Sequence, residues 1–286
     1  LLDQGYFPGG VYTPKTDEIM RSDVNMYKRM GFNGLRKHQK VEDPRFLYWC
    51  DVEGLVVWEE MPSLGFGVPG YVPDWAMERF EKEWMDVIER DYNHPSIIVW
   101  TVYNESWGIY EMLWRKEVRD WGYRMVRKTR ESDSSRLTVD NSGGFHFDTD
   151  IWDFHHYLPT VEDSRELYEK YDFESGDHLG FSYYIKMIMT GKPLIPLFFP
   201  DTDYAGQPVI VSEYGGFGFY KTEGEKSLYD LYRDYTLAIF DFSYLDGYCY
   251  TQPYDVEQEK NGLMTFERKP KVPPEKIRKV NEKGGY

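Results

Sequence analysis

Short apolar runs alternate with segments of helical periodicity along almost the whole chain, and this alternation constrains the fold more than any other feature. The apolar runs have the length and β-branched content of buried parallel strands, and the segments between them carry one apolar face. Eight runs stand at 1–3, 33–38, 55–58, 97–102, 137–139, 151–157, 208–212 and 245–251. Eight rounds in 286 residues predict an α/β fold, a single (β/α)8 barrel that fills the chain from 1 to 286.

Two segments depart from this alternation of predicted strands and helices. Residues 164–207 are broken by several Gly and Pro residues, which predicts a loop-rich excursion that could wall a substrate site. The tail from Lys269 is rich in Lys and Pro and is predicted to leave the domain. The chain opens without a methionine inside a predicted strand, so we expect it to be part of a longer protein. The compartment, cytoplasmic or periplasmic or secreted, therefore stays open.

The charge balance excludes two classes of partner. The formal net charge is -15, which would repel nucleic-acid phosphates and anionic lipid surfaces. The longest apolar runs fall far short of the roughly 18 residues that a membrane span needs. We therefore expect neither a nucleic-acid partner nor a membrane partner. Aromatic residues make up 18% of the chain, enough for a large core and for rings along a carbohydrate site.

Two glutamates stand where a barrel places its catalytic groups, at the carboxyl ends of strands. Glu105 follows the fourth predicted strand, and Glu213 follows the seventh. Hydrolysis of a glycosidic bond needs one carboxylic acid to protonate the leaving oxygen and one carboxylate across the anomeric carbon. Either residue alone would be read as a surface carboxylate at a strand end, but two glutamates on facing strands would supply this pair.

The residues around these glutamates resemble glycoside hydrolase family 2. The similar blocks are the strand leading into Asn104-Glu105 (93–105), Asn-Gly-Leu-Arg-Lys-His (33–38), the strand around Glu213 (206–216), and Tyr-Thr-Gln (250–252) with Asn-Gly-Leu (261–263). Thr101 stands where the family has Gly or Ser, and Gln39-Lys40 follows His38 where the family has Tyr-Pro. The resemblance covers nearly the whole chain.

This resemblance implies roles for the residues of the acid/base block. Glu105 would be the general acid/base and Glu213 the nucleophile of a double displacement with retention. Asn104 would hydrogen-bond the 2-hydroxyl of the sugar, and Trp107 would contact the sugar. We further expect burial beside Trp107 to raise the pKa of Glu105 so that it arrives protonated.

Residues at other strand ends complete the expected site. Arg36 would pair with the nucleophile, His38 would help to hold the site, and Tyr157 would donate a hydrogen bond to Glu213. Gln252, after the eighth strand, would contact the substrate. His155 and His156 are predicted to serve as hydrogen-bonding groups.

No metal site and no cofactor is predicted. Residues 59–62 lack the histidine that would support the magnesium ion found beside the acid/base residue in some relatives. The expected partners are a carbohydrate substrate and upstream β-sandwich domains of the same polypeptide, and a homo-oligomer stays open.

The sugar is not readable from the sequence. The first expectation is a retaining exo-acting β-galactosidase, and the alternatives are a β-glucuronidase or β-mannosidase of the same family. An endo-acting barrel glycosidase and a non-catalytic carbohydrate-binding barrel also stay open.

Overall fold

Eight parallel strands close into one barrel in the computed structural model, which describes residues 1–64, 71–170, 197–199, 202–220 and 226–284. The strands in chain order are β1 (Leu2–Asp3), β2 (Gly34–Lys37), β3 (Val56–Glu60), β4 (Ile97–Asn104), β5 (Leu137–Ser142), β6 (Phe145–His146), β7 (Trp152–His155), β8 (Leu197–Phe198), β9 (Val209–Gly215) and β10 (Leu245–Thr251). Strands β1 to β5 form one hydrogen-bonded run, and β7, β9 and β10 form another. Contacts of β5 with β7 and of β10 with β1 close the ring, while β6 and β8 pair separately. The predicted (β/α)8 barrel is confirmed.

The helices follow the strands in the order that the barrel requires. They are α1 (Asp17–Arg29), α2 (Pro44–Glu53), α3 (Asp74–Asp91), α4 (Lys116–Ser132), α5 (Val161–Lys170), α6 (Leu228–Phe240) and α7 (Pro274–Asn281). The sequence marks both ends of α2: the Asp43 side chain accepts a hydrogen bond from the Arg45 amide, and Gly54 ends the helix at φ 68°. Within the described ranges, no helix has the length and apolarity to cross a bilayer.

Large aromatic side chains fill the core between strand β4 and the helices outside it. Phe80 on α3 stacks on Tyr103 of β4 at 5.5 Å between ring centroids, and Trp121 on α4 meets both rings edge-on. Trp84 and Trp100 are fully buried and cross at 5.8 Å. These contacts fix β4 against its helices, so the residues at its carboxyl end project from a rigid support.

The structure corrects three details of the predicted topology. The tail does not leave the domain, because α7 buries Ile277 and Val280 against α1 and α6. The excursion predicted from residue 164 begins as a helix, since Ser164 lies inside α5; most of the remaining excursion lies outside the described residues. The helical spacing of Trp114, Val118, Trp121 and Met125 predicts that they share one helix face, but Trp114 precedes α4 and is 56% exposed.

A buried carboxyl group on β3 gives the fold a pH-dependent weakness. Burial, reinforced by the nearby acidic side chains, raises the pKa of Glu59 to about 8, and its Oε2 atom has no hydrogen-bond partner in the described structure. The folded protein therefore holds a proton that the unfolded chain releases at a lower pH. Stability should decline as pH rises from the ordinary glutamate pKa towards about 8 and then level off.

We expect Glu59→Gln to remove this decline, because the amide keeps the Oε1 acceptor for the Glu42 backbone amide and carries no ionisable proton. The variant should match the wild type at about pH 5 and exceed its free energy of unfolding by the order of 2–5 kcal/mol above pH 8. Urea unfolding at the two pH values measures the difference. Glu131→Gln, on an exposed side chain of α4, is the control. An equal shift in both variants, or no pH dependence in the difference, would remove Glu59 as the cause.

Candidate active site

The carboxyl ends of five barrel strands bring polar side chains to one point. Arg36 comes from β2, Glu60 ends β3, Glu105 follows β4, His155 ends β7, and Glu213 lies within β9. Four of these side chains are almost fully buried, and Glu105 is partly exposed. Charged groups at this depth must be paired, and here they are paired with one another.

The backbone at the end of β4 adopts a conformation that aims Glu105 into the barrel. Glu105 and Ser106 both have positive φ, at 49° and 64°, a region that non-glycine residues rarely occupy. Asn141 holds this turn: its Oδ1 accepts from the Ser106 amide at 2.7 Å, and its Nδ2 donates to the Ser106 hydroxyl at 2.8 Å. Strain of this kind, fixed by neighbours, is typical of functional positions.

The two glutamates face each other across His155. The Nδ1 atom of His155 lies 2.8 Å from Oε1 of Glu105, and its Nε2 lies 3.4 Å from Oε1 of Glu213. An oxygen of Glu105 and an oxygen of Glu213 lie within 4.8 Å of each other. The structure therefore brings together the pair that the sequence predicted on facing strands.

His155 contacts Arg36 as well as the two glutamates. Its Nε2 lies 3.2 Å from the Nη1 of Arg36, and its Nδ1 faces Glu105. Trp107 Nε1 donates to the other oxygen of the Glu105 carboxylate at 3.1 Å.

The predicted pKa shift of Glu105 is wrong in direction. Burial acts to raise the pKa of this carboxyl, but the hydrogen bond and charge of His155, together with the indole N–H of Trp107, outweigh it and lower the pKa to about 2. The sequence placed Trp107 beside Glu105 correctly, but as a hydrogen-bond donor its ring stabilises the ionised form.

Arg36 is the central residue of the site, and its planar guanidinium group donates hydrogen bonds to three partners. Its Nε donates to Glu60 at 2.7 Å, Nη1 to Glu213 at 2.8 Å and Nη2 to Oδ1 of Asn104 at 2.6 Å. The charges of Glu60 and Glu213 raise the pKa of Arg36 against the opposing effect of burial. The predicted proximity of Arg36 to Glu213 is thus present, and Glu60, which the sequence did not single out, is its second carboxylate.

We expect Arg36→Lys to destabilise the protein although it keeps the charge, because an ammonium group cannot reach three fixed acceptors at once. Each buried acceptor left without a donor costs about 1–3 kcal/mol, so the free energy of unfolding should drop by roughly 2–5 kcal/mol. Urea denaturation followed by circular dichroism measures this. Arg29→Lys, an exposed residue paired with Glu275, is the control. Equal losses of unfolding free energy in the two variants would contradict a role that depends on the planar guanidinium group of Arg36.

Tyr157 and His38 flank Glu213 on its two sides. The Tyr157 hydroxyl donates to Oε2 of Glu213 and lies 3.2 Å from the Thr251 hydroxyl, and burial raises its pKa well above the ordinary value. The Nδ1 of His38 lies 3.1 Å from Glu60 and 3.8 Å from Glu213. Burial acts to lower the pKa of His38, but the charge of Glu60 raises it overall. Both residues lie where the sequence expected them.

Asn104 uses only one half of its amide in hydrogen bonds with the described residues. Its Oδ1 is used by Arg36, while its Nδ2 has no protein acceptor among the described residues. A donor in that state, beside Glu213 and Arg36, is available to an oxygen of a ligand.

Gln252, which the sequence predicts to contact the substrate, is held by polar side chains in the structure. The side chain is fully buried: its Nε2 donates to Glu259 at 2.8 Å and lies 3.3 Å from Asn261, and its Oε1 accepts from Gln4 at 2.8 Å. Gln252 supports Glu259 in the structure, and its contact with the sugar stays a prediction. Glu259 lies in an irregular segment after β10, where no periodic pattern could mark it.

Glu105, His155 and Glu213 offer the one group of ligand atoms within the described ranges that is close enough to hold a metal ion. Arg36 already lies 2.8 Å from Glu213 and 3.2 Å from His155, and its fixed positive charge opposes a cation there. We keep the prediction that catalysis uses no metal.

Comparisons with known proteins identify the family of this chain. The family model for the TIM barrel domain of glycosyl hydrolases family 2 matches residues 15–251. Human β-glucuronidase is 23% identical over 280 residues, which cover 88% of this chain and 39% of that protein. A β-galactosidase of Clostridium acetobutylicum is 26% identical over 135 residues, covering 43% of this chain and 14% of the relative.

Solved structures show the same fold. A family 2 β-galacturonidase from Eisenbergiella tayi, bound to galacturonate, aligns with a TM-score of 0.69 at 19% identity over 98% of this chain and 49% of its own. The chain spans less than half of each of these relatives. The matched barrel model covers most of the sequence and includes both glutamates at the strand ends, and the chain belongs to glycoside hydrolase family 2.

Proposed function

We propose that the chain is the catalytic barrel of a retaining exo-β-glycosidase, with Glu213 as nucleophile and Glu105 as general acid/base. The observation that carries this proposal is the approach of the two carboxylates, whose nearest oxygens lie within 4.8 Å. Retaining enzymes place their carboxyl groups about 5–5.5 Å apart, whereas inverting enzymes leave about 6.5–9.5 Å for a water molecule. The spacing supports direct attack by one carboxylate on the anomeric carbon.

In the first half-reaction Glu213 attacks the anomeric carbon while the glycosidic oxygen takes a proton and leaves as the alcohol. Arg36 and Tyr157 hold the two oxygens of Glu213 and fix its direction of attack. The Nδ2 of Asn104 is free to donate to a hydroxyl of the sugar. These groups are in place before the substrate binds, which reduces the reorganisation that the transition state requires.

Glu105, which is hydrogen-bonded to His155, gives the leaving group its proton. Burial acts to raise the pKa of Glu105, but the hydrogen bond and charge of His155 outweigh it and lower the pKa to about 2 in the free site, so Glu105 must gain its proton with the substrate bound. Protonation of the leaving oxygen by Glu105 leaves its carboxylate as the base for the second half-reaction. Water then loses a proton to Glu105, attacks the glycosyl carbon, and releases Glu213.

The finer assignment is a terminal β-linked sugar, with β-galactoside first and β-glucuronide and β-mannoside as alternatives. Exo action and upstream β-sandwich domains are inferred from the resemblance to the family. Relatives named β-galactosidase, β-glucuronidase and β-galacturonidase all match the chain, so they do not separate these sugars.

A panel of nitrophenyl β-glycosides tests the proposal, using the longest natural polypeptide that contains this chain. We expect release of nitrophenol from at least one sugar, and labelling of Glu213 by a 2-deoxy-2-fluoro glycoside of that sugar. Absence of both turnover and covalent label across the panel would contradict the proposed function and favour a carbohydrate-binding barrel.

A further inference from the structure

A third carboxylate, Glu259, belongs to the wall of the site. The segment after β10 folds back so that Val256 and Glu259 pair through their backbones. The Oε2 atom of Glu259 accepts from Gln252 at 2.8 Å and from Gln4 at 3.1 Å. Its Oε1 atom has no protein donor in the described part of the chain, and the side chain is only half-buried. One oxygen is thus anchored by two amides while the other is left for a ligand.

Short contacts connect Glu259 to the nucleophile. Gln252, which anchors Glu259, directly follows Thr251, and the Thr251 hydroxyl lies 3.2 Å from the Tyr157 hydroxyl that donates to Glu213. Burial raises the pKa of Glu259, the hydrogen bonds from the two amides and the charge of His38 oppose this, and the charge of Glu213 adds to it. These contacts place Glu259 at the same end of the barrel as Glu213.

Aromatic rings lie near these carboxylates. Tyr220 stacks on Tyr157 at 4.1 Å between ring centroids, and burial raises the pKa of Tyr220, with the charges of Glu213, Glu105 and Glu259 adding to this. Tyr6 packs against Tyr12 at 4.7 Å between ring centroids, and the hydrogen bond with Tyr12 and burial raise the pKa of Tyr6, to which the charge of Glu259 adds.

Four cations among the described residues near the site are engaged by other groups. Arg36 serves Glu60, Glu213 and Asn104. Lys40 binds two backbone carbonyls and Glu42, and Lys37 pairs with Asp3 and Glu42. Arg268 pairs with Asp23. Within the described ranges, none of these four side chains is free to bind an acidic group on the sugar.

We propose that Glu259 selects the substrate class, accepting a hydrogen bond from a hydroxyl of a neutral sugar and excluding sugars that carry a carboxylate. This inference rests on the proposed function and separates this chain from its glucuronidase and galacturonidase relatives. A neutral sugar satisfies Oε1 of Glu259 with a hydroxyl donor. A uronic acid brings a negative charge into a pocket that already holds Glu213 and Glu259, and a like charge at short range opposes binding.

Glu259→Gln tests the proposal because it removes the charge and keeps the shape and the anchoring amides. The substrates are matched pairs, nitrophenyl β-galactoside with β-galacturonide and β-glucoside with β-glucuronide, which differ only at C6. We expect the wild type to prefer the neutral member of a pair, and the variant to raise the uronide-to-neutral ratio of kcat/KM by about 10- to 100-fold. Glu267→Gln, an exposed glutamate in the same segment, should leave the ratio unchanged.

Two outcomes would overturn the proposal while leaving the proposed function intact. One is a wild type that hydrolyses the uronide at least as well as its neutral partner. The other is a ratio that changes by less than twofold in a Glu259→Gln variant that melts at the wild-type temperature. Calorimetric titration with free galactose and free galacturonate gives a readout without turnover. Tighter binding of galactose by the wild type, equalised in the variant, supports Glu259 even if hydrolysis fails, and equal or absent binding of both sugars contradicts it.

Discussion

Glu213→Gly is expected to lower the rate of β-glycoside hydrolysis by at least about 10⁴-fold, because it removes the group that forms the covalent intermediate. Addition of azide should restore turnover, since the small anion fits the space of the lost side chain. Azide would then attack from the side that Glu213 occupied and give the α-glycosyl azide. The measurement is initial rates with and without azide, with the product anomer assigned by proton NMR.

Two results would contradict this role of Glu213. One is residual activity within about tenfold of the wild type. The other is rescue that yields the β-azide, which would place the lost group on the opposite face of the sugar. The wild type with azide serves as the control for non-specific effects, and thermal melting of the variant shows that its fold is intact.

Glu105→Ala is expected to have an effect that depends on the leaving group. General acid catalysis is worth about 10²–10⁴-fold, and an alkyl leaving group needs it most. Hydrolysis of a methyl β-glycoside should fall by that factor, while cleavage of a dinitrophenyl glycoside, whose leaving group needs no proton, should form the glycosyl-enzyme nearly as fast as in the wild type. Azide should accelerate release of that intermediate and give the β-glycosyl azide.

The control for Glu105→Ala is Glu117→Ala, on an exposed first-turn residue of α4. It should change neither substrate's rate. Equal losses for the methyl and dinitrophenyl substrates in Glu105→Ala would contradict a role in proton transfer. The opposite azide anomers expected from the two glutamate variants distinguish their roles with one reagent.

Most of the barrel could be predicted from the sequence because most of its strands contain a short apolar run that is largely buried. The eighth run, 245–251, coincides with β10. The tail was missed because its Lys and Pro content resembles a linker. Two apolar residues, Ile277 and Val280, dock the tail onto the barrel. The groove between α1 and α6 that receives them could not be predicted from the sequence.

Some features of the site could be predicted from the sequence, and others could not. Glu105, Glu213, Arg36 and Tyr157 follow from their places at strand ends and from the family pattern. The position of His155 between the two carboxylates does not, since it depends on the register of β7 beside β9. The predicted direction of the Glu105 pKa shift was wrong because burial alone raises the pKa, and only the structure shows which donors face the carboxylate.

The central claim is that Glu105 and Glu213 work as a retaining pair, and the anomer first released tests it most directly. Proton NMR during the first minutes of hydrolysis of an aryl β-glycoside, before mutarotation, distinguishes the two outcomes. Two successive displacements at one carbon give the β-anomer first, as expected for carboxylate oxygens within 4.8 Å of each other. Initial release of the α-anomer would mean a single displacement by water and would contradict the nucleophilic role of Glu213.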